Sequence, residues 1–237
     1  NIYGMDLFLY NRMKAVRWGH DDEFIGCPRL DDLQCAFTSM KGFLAAENDR
    51  NINIYACFDN EEVGSGTKQG AASTFLYDVL WRMNNALGKD EEEFRRAVAG
   101  SFMLSCDNAH ALHPNYRQKS DETNRVYMNE GVVIKSHAGQ KYTSDAVSVA
   151  IFKMICEKAE VPVQFFSNRS DEAGGSTLGN IAMTQVSMNT VDVGLPQLAM
   201  HSAYETAGVK DMEYMVKAVT EFYASNIRGD SDGNYRM

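Results

Sequence analysis

The run Ile-Tyr-Ala-Cys-Phe at residues 54–58 limits the possible folds of this chain more than any other stretch. It is apolar on both parities, so neither face suits water, and the pattern predicts a strand over 52–58 covered on both sides. Such a strand belongs inside a largely parallel sheet with helices on each face. Directly after it come Asp59, Glu61 and Glu62, ahead of a turn containing Gly64. Adjacent glutamates there can point to different sides, one holding a cation while the other handles a proton on water. A solvated acidic turn would read the same way.

The flanking patterns fit that frame. Leu33, Phe37, Met40 and Leu44 recur at helical spacing and predict an amphipathic helix from Asp31 to about Glu47, with Asp31 or Asp32 as N-cap. Further helices are expected at 69–85, 90–99, 145–160, 178–188 and 212–227. Strands are expected at 6–10, 102–106, 132–134, 163–166 and 191–193, and residues 17–28 read as loop. The tail, 229–237, reads as disordered. Alternating helix and strand patterns predict an α/β fold with a mixed, mostly parallel sheet sandwiched between helices.

At 237 residues a single large core is expected. The formal charge of −9, with no Lys/Arg cluster, argues against a nucleic-acid partner. No apolar run approaches the roughly 18 residues of a membrane span, and no secretory leader pattern is present. Five widely spaced cysteines without a C-x-x-C pair predict free thiols and a reducing, cytoplasmic setting. The chain opens at Asn1 in what reads as mid-domain sequence, which predicts a piece of a longer polypeptide.

Five chemistry-bearing residues stand out: Asp31 at a helix start, Glu61 and Glu62 after one strand, Asp107 after another, and His201 late in the chain. Acids at the carboxyl ends of strands in an open sheet converge on a site. Several carboxylates with an imidazole suit zinc or a similar divalent ion, cobalt and manganese included. Each residue also has an ordinary reading as cap, turn or surface group. The H-E-x-x-H helix, the G-x-S-x-G elbow, the P-loop and G-x-G-x-x-G are all absent.

Four segments carry a resemblance. Pro-Arg-Leu-Asp-Asp-Leu (28–33), Phe-Asp-Asn-Glu-Glu-Val-Gly-Ser (58–65), Asp-Asn-Ala-His-Ala-Leu-His-Pro-Asn-Tyr (107–116) and Gly-Leu-Pro-Gln-Leu-Ala-Met-His-Ser (194–202) resemble the aspartyl aminopeptidase family, in the family's order. These are co-catalytic zinc exopeptidases, and the resemblance implies their phosphorylase/hydrolase-like fold. It implies that Asp31 bridges two metal ions, that Glu62 and His201 hold one, that Asp107 holds the other, and that Glu61 is the general base. His110, Lys135, Tyr142 and Met200 resemble substrate-pocket positions. Two zinc ions, peptide substrates with a free N-terminus and an acidic first residue, and a homo-oligomer are further implications. An ammonium at Lys135 would favour an acidic side chain by charge pairing.

One departure stands out. The family's N-terminal His-Thr-Asp-like motif has no counterpart here, and His20, in Trp-Gly-His-Asp-Asp, sits in a different context. The family's inserted domain is missing too. The chain therefore resembles the C-terminal part of the catalytic domain, over residues 1–228. Two competing readings remain: a catalytically incomplete or structural polypeptide, and an amidase or carboxypeptidase on the same scaffold.

Overall fold

The computed structural model describes residues 1–231 and 234–237. In chain order come β1 (Val16–Trp18), β2 (Phe24–Cys27), α1 (Leu30–Ala45), α2 (Phe75–Ala86), α3 (Glu91–Ala99), β3 (Phe102–Cys106) and β4 (Ala109–His110). Then follow β5 (Val132–Ser136), α4 (Ala146–Lys158), β6 (Val163–Ser167), α5 (Leu178–Ala182), β7 (Asn189–Gly194), β8 (Pro196–Leu198) and β9 (Glu205–Gly208). The chain closes with α6 (Val209–Ala224), β10 (Arg228–Ser231) and β11 (Asn234–Arg236).

One sheet has four strands in the order β3-β7-β5-β6, with β3·β7 and β5·β6 parallel and β5·β7 antiparallel. Val132, Ile134, Val191 and Val193 are fully buried and pack with Ile151, Phe152 and Ile155 of α4 and with Met215 and Val219 of α6. β-Branched residues on adjacent strands fill this layer because a sheet covered by helices offers no wet face. A second sheet, β1-β2-β9-β8-β4, is antiparallel apart from its β4·β8 pair. No helix among the described residues is long and apolar enough to cross a membrane.

The two sheets meet at a seam. β3 passes through Asp107 and Asn108 into β4, while its parallel neighbour β7 passes through Leu195 into β8. The Asp107 N–H donates to the Val193 carbonyl at 3.0 Å and the Ala109 N–H to the Leu195 carbonyl at 2.9 Å. At Gly194 a side chain would run into the Asp107 carbonyl, so only glycine lets the strands come this close.

Several expectations are corrected. Residues 52–58 are not a strand. A strand needs a hydrogen-bonded neighbour, and this segment is instead pinned by side chains. The Tyr223 hydroxyl donates to the Ile54 carbonyl at 2.8 Å, and the Tyr55 hydroxyl to the Ala36 carbonyl at 2.9 Å. Residues 6–10 are irregular and exposed, whereas 17–28 contains the β1–β2 hairpin, held by Trp18 against Phe24. The α1 helix forms, but Asp31 and Asp32 carry non-helical angles, Arg29 takes the cap position, and no side chain caps the helix.

The stripe Leu33, Phe37, Met40 and Leu44 faces outward. The face packed on α6 is the small one, through Cys35 and Gly42, where a Cβ would collide with Val219. Residues 69–74 precede α2 as turns, and 183–188 lie beyond α5. The expected disorder at 229–237 gives way to the β10·β11 pair, residues 232 and 233 lying outside the described part.

Candidate metal centre

Beside the seam lies a cavity of about 320 Å³. All nine residues singled out from the sequence line it: Asp31, Glu61, Glu62, Asp107, His110, Lys135, Tyr142, Met200 and His201. His20 is not among them; it sits at the exposed turn between β1 and β2.

Each functional side chain is aimed by local backbone chemistry. Asp31 stands at the irregular start of α1, joined to Asp32 by a cis peptide. Asp107 leaves the end of β3 at the seam. Glu61 and Glu62 sit on a loop closed by Ser65 N–H to the Asn60 carbonyl (2.9 Å) and Asp59 N–H to the Gln69 carbonyl (3.0 Å). Asn60, Gly64 and Ser65 all take positive φ in that loop, which turns two neighbouring carboxylates into the same cavity. His201 lies in the loop joining β8 to β9, at φ 66.

Two clusters of potential donors emerge, each with its ligand atoms within 4.8 Å of one another. Asp31, Glu62 and His201 form one; Asp31, Asp32 and Asp107 form the other. His201 Nε2 lies 3.0 Å from Asp31 Oδ2 and 2.9 Å from Glu62 Oε2. Asp31 belongs to both clusters. Its Oδ1 is buried without a hydrogen-bond partner, which is costly unless something positive meets it. Carboxylate oxygens with one imidazole nitrogen are a donor set for zinc or a similar divalent ion. The residues present therefore fit such an ion, and Glu61 stands beside them outside both clusters.

The electrostatics agree. Burial, then the charges of Asp107 and Glu62, pushes the Asp31 carboxyl up to about 8. Burial, then Asp107 and Asp31, raises Asp32 well above the carboxylate range. Half-buried Glu61 is pushed up to about 7 by burial, then by Asp107 and Glu62. Crowded acids raise one another's pKa values when no cation relieves them.

Lys135 is the counterweight. It is buried, and its ammonium donates to Asp107 Oδ2 at 3.0 Å, to the Asp107 carbonyl at 2.9 Å and to the Asn108 carbonyl at 3.2 Å. Burial opposes its charge, yet the Asp107 and Asp192 carboxylates outweigh burial and raise its pKa. All three donors are engaged with the protein itself, so a substrate acid would feel this charge through space. The ammonium also lies 5.4 Å from the Tyr142 ring centre. Tyr142 meets Phe166 edge-on, and Phe166 also neighbours His110, giving the cavity an aromatic wall.

Sequence reasoning missed three supporting residues. Asp32 belongs to the second cluster, and its adjacency to Asp31 was the available signal. Asn108 is buried; its N–H donates to Asp32 Oδ1 at 3.1 Å, and its side-chain amide donates to the Leu30 carbonyl at 2.9 Å and to Gln197 at 2.8 Å. Glu205 accepts the Asp31 N–H at 2.9 Å and the His201 N–H at 2.7 Å. Asn108 has no spacing signature, because its partners lie far away in sequence; Glu205 has only the four-residue step back to His201, its other partner, Asp31, being distant.

The whole cavity lies within residues 1–223, which match the family model described as Aminopeptidase I zinc metalloprotease (M18). The chain belongs to the M18 family. This M18 chain is 48% identical over 223 residues to the probable M18 family aminopeptidase 2 of Clostridium acetobutylicum, a match covering 94% of this chain and 52% of that protein. It is 40% identical over 229 residues to the aspartyl aminopeptidase of Caenorhabditis elegans, covering 94% and 48%. Among solved structures it resembles the Ape4 and Nbr1 complex, with a TM-score of 0.85, 38% identity, and coverage of 91% of this chain and 42% of that one. It also resembles the mApe1 dodecamer of S. cerevisiae, with a TM-score of 0.76, 26% identity, and coverage of 90% and 49%. The M18 chain spans about half the length of the curated relatives it matches.

Proposed function

We propose that this chain carries most of the active site of a metal-dependent aminopeptidase that removes an N-terminal residue, preferably Asp or Glu, from peptides. The supporting observation is the pair of donor clusters that share Asp31, with Glu61 in the same cavity but in neither cluster. Asp31 would bridge two zinc ions, Glu62 and His201 would complete one site, and Asp107 would serve the other. Cobalt or manganese would suit the same donors. Two such ions, when bound, would supply Lewis-acid polarisation of a peptide carbonyl and would make water a usable nucleophile near neutral pH.

The protein's own groups do the rest. Glu61 takes the proton from the attacking water and returns it to the departing amine, which a carboxylate engaged with a cation could not do as well. Lys135 holds Asp107 in place. Phe166, Tyr142 and His110 wall the space beyond, where the first residue's side chain would lie, with Met200 also on the lining. Four lining carboxylates against one ammonium give the cavity a formal charge of −3, and two divalent cations would turn it to +1. An acidic preference is thus consistent with a loaded site and with the name of the C. elegans relative. Likeness to a dodecamer supports a homo-oligomer, and five free thiols support a reducing, cytoplasmic compartment.

The test pairs metal analysis with an assay on Asp-, Glu- and Leu-initiated peptides, free and acetylated. About two equivalents of zinc and cleavage confined to free N-termini, fastest after acidic residues, are expected. One equivalent or none would support an incomplete site. Equal cleavage of acetylated peptides would point to an amidase or carboxypeptidase.

A further inference from the structure

We infer that Glu205 is a positioning residue for the metal centre, a buried carboxylate that clips the two loops bearing Asp31 and His201 to each other. The inference rests on the metal-site reading above and concerns how that site is held.

Glu205 opens β9, whose register is fixed on both sides, by Cys27 of β2 and through the pairing of β9 with β8. Only 2% of it is exposed. Its two oxygens diverge: Oε2 accepts the Asp31 N–H at 2.9 Å and Oε1 the His201 N–H at 2.7 Å. Charge-assisted bonds to backbone N–H groups are among the stronger hydrogen bonds. A single side chain on a rigid strand therefore sets where two prospective ligands leave the backbone.

Both ligands need such a hold. His201 sits at φ 66 and Ala199, two residues earlier, at φ 58, conformations that cost energy in a non-glycine residue. The His201 side chain is 63% exposed, so packing does little to fix the imidazole. Asp31 lies in the non-helical start of α1, outside the regular hydrogen-bond ladder. Ligand-orienting partners outside the first coordination shell typically change metal affinity by about 10–100-fold when removed. The competing explanation is that Glu205 merely satisfies two buried donors. That role would move stability and leave the metal untouched.

The test uses the full-length protein. In Glu205→Gln the side chain keeps its shape but sets an NH2 group against one of the two N–H donors. In Glu205→Asp the carboxylate is one methylene short and cannot span both. Zinc affinity is read by competition with a chromophoric chelator, and geometry by the visible spectrum of the cobalt-substituted protein. Zinc dissociation constants should rise by about 10–100-fold and the cobalt spectrum should change, with circular dichroism unaltered.

Asp211→Asn is the control, since Asp211 also accepts two backbone N–H groups, from Asn129 and Gly131, away from the cavity. It should leave zinc affinity and the cobalt spectrum as they are. Unchanged zinc binding in folded Glu205 variants overturns the assignment, as does equal weakening by Asp211→Asn. So does failure of both Glu205 variants to fold, which would make the residue a fold determinant. A wild-type protein that takes up no zinc would instead defeat the metal-centre reading itself.

Discussion

Replacing Lys135 with Met tests the electrostatic logic of the site most directly. Methionine matches the length and burial of the lysine stem but supplies no charge and no donor. In the wild type the Lys135 and Asp107 side chains are 3% and 14% exposed, and the ammonium serves one carboxylate and two carbonyls. Breaking a buried ion pair from one side costs about 3–5 kcal/mol, because the surviving charge stays buried without its partner. For a domain of this size each kcal/mol moves the melting temperature by about 2–4 °C, so metal-free Lys135→Met should melt about 6–20 °C lower. Zinc should restore part of that loss, since a cation near Asp107 replaces the missing positive charge. Differential scanning calorimetry with and without zinc reads both effects. A shift under about 2 °C in the metal-free protein, or an equal deficit with and without zinc, would refute the account of Lys135 as the counterion of Asp107.

Other predictions are narrower. Glu61→Gln should lower peptide turnover by about 10²–10⁴-fold with zinc content kept, whereas Asp31→Ala and His201→Ala should lose zinc; full turnover in Glu61→Gln would remove it as the base. Gly194→Ala should cost about 1–3 kcal/mol, because its methyl group meets the Asp107 carbonyl across the seam, and unfolding in urea measures this; no change would mean that the seam can relax. Asp211, buried and near Glu130, is pushed up to about 6 from 3.8, first by burial, despite the two N–H bonds that it accepts. Its folded pKa exceeds the unfolded one, so its contribution is complete below about pH 4 and is lost as pH rises through 6. The gap is worth about 3 kcal/mol. Urea midpoints of metal-free wild type and Asp211→Asn should therefore diverge between pH 4 and 6, and a constant difference would contradict the raised value.

What the sequence disclosed follows a physical divide. β5, β7, α4 and α6 were readable because their apolar periodicity reflects burial within these same residues. Residues 52–58 carry an equally strong pattern, yet strand structure also needs a partner, and pattern alone cannot supply one. The Leu33–Leu44 stripe located a helix correctly but misidentified its packed face, since Gly42 and Cys35 allow closer approach than bulky residues do. Every residue proposed for the site lines one cavity; the four motifs carried all of them except Lys135 and Tyr142, which the family resemblance supplied from outside those segments. Asn108 and the bond from Asp31 to Glu205 stayed hidden, because hydrogen bonds between distant residues leave no mark in spacing. The β1–β2 hairpin was missed because its strands are too short for periodicity to register.

The crossing of β3 and β7 from one sheet into the other has a mechanical consequence. Lys135 rides on the four-stranded layer and Glu205 on the five-stranded one, while Asp107 sits where the two join. Any sliding of one layer over the other would alter the spacing among these groups by the full amount of the slip. The geometry of the candidate site therefore depends on this joint, where Gly194 lies against the Asp107 carbonyl.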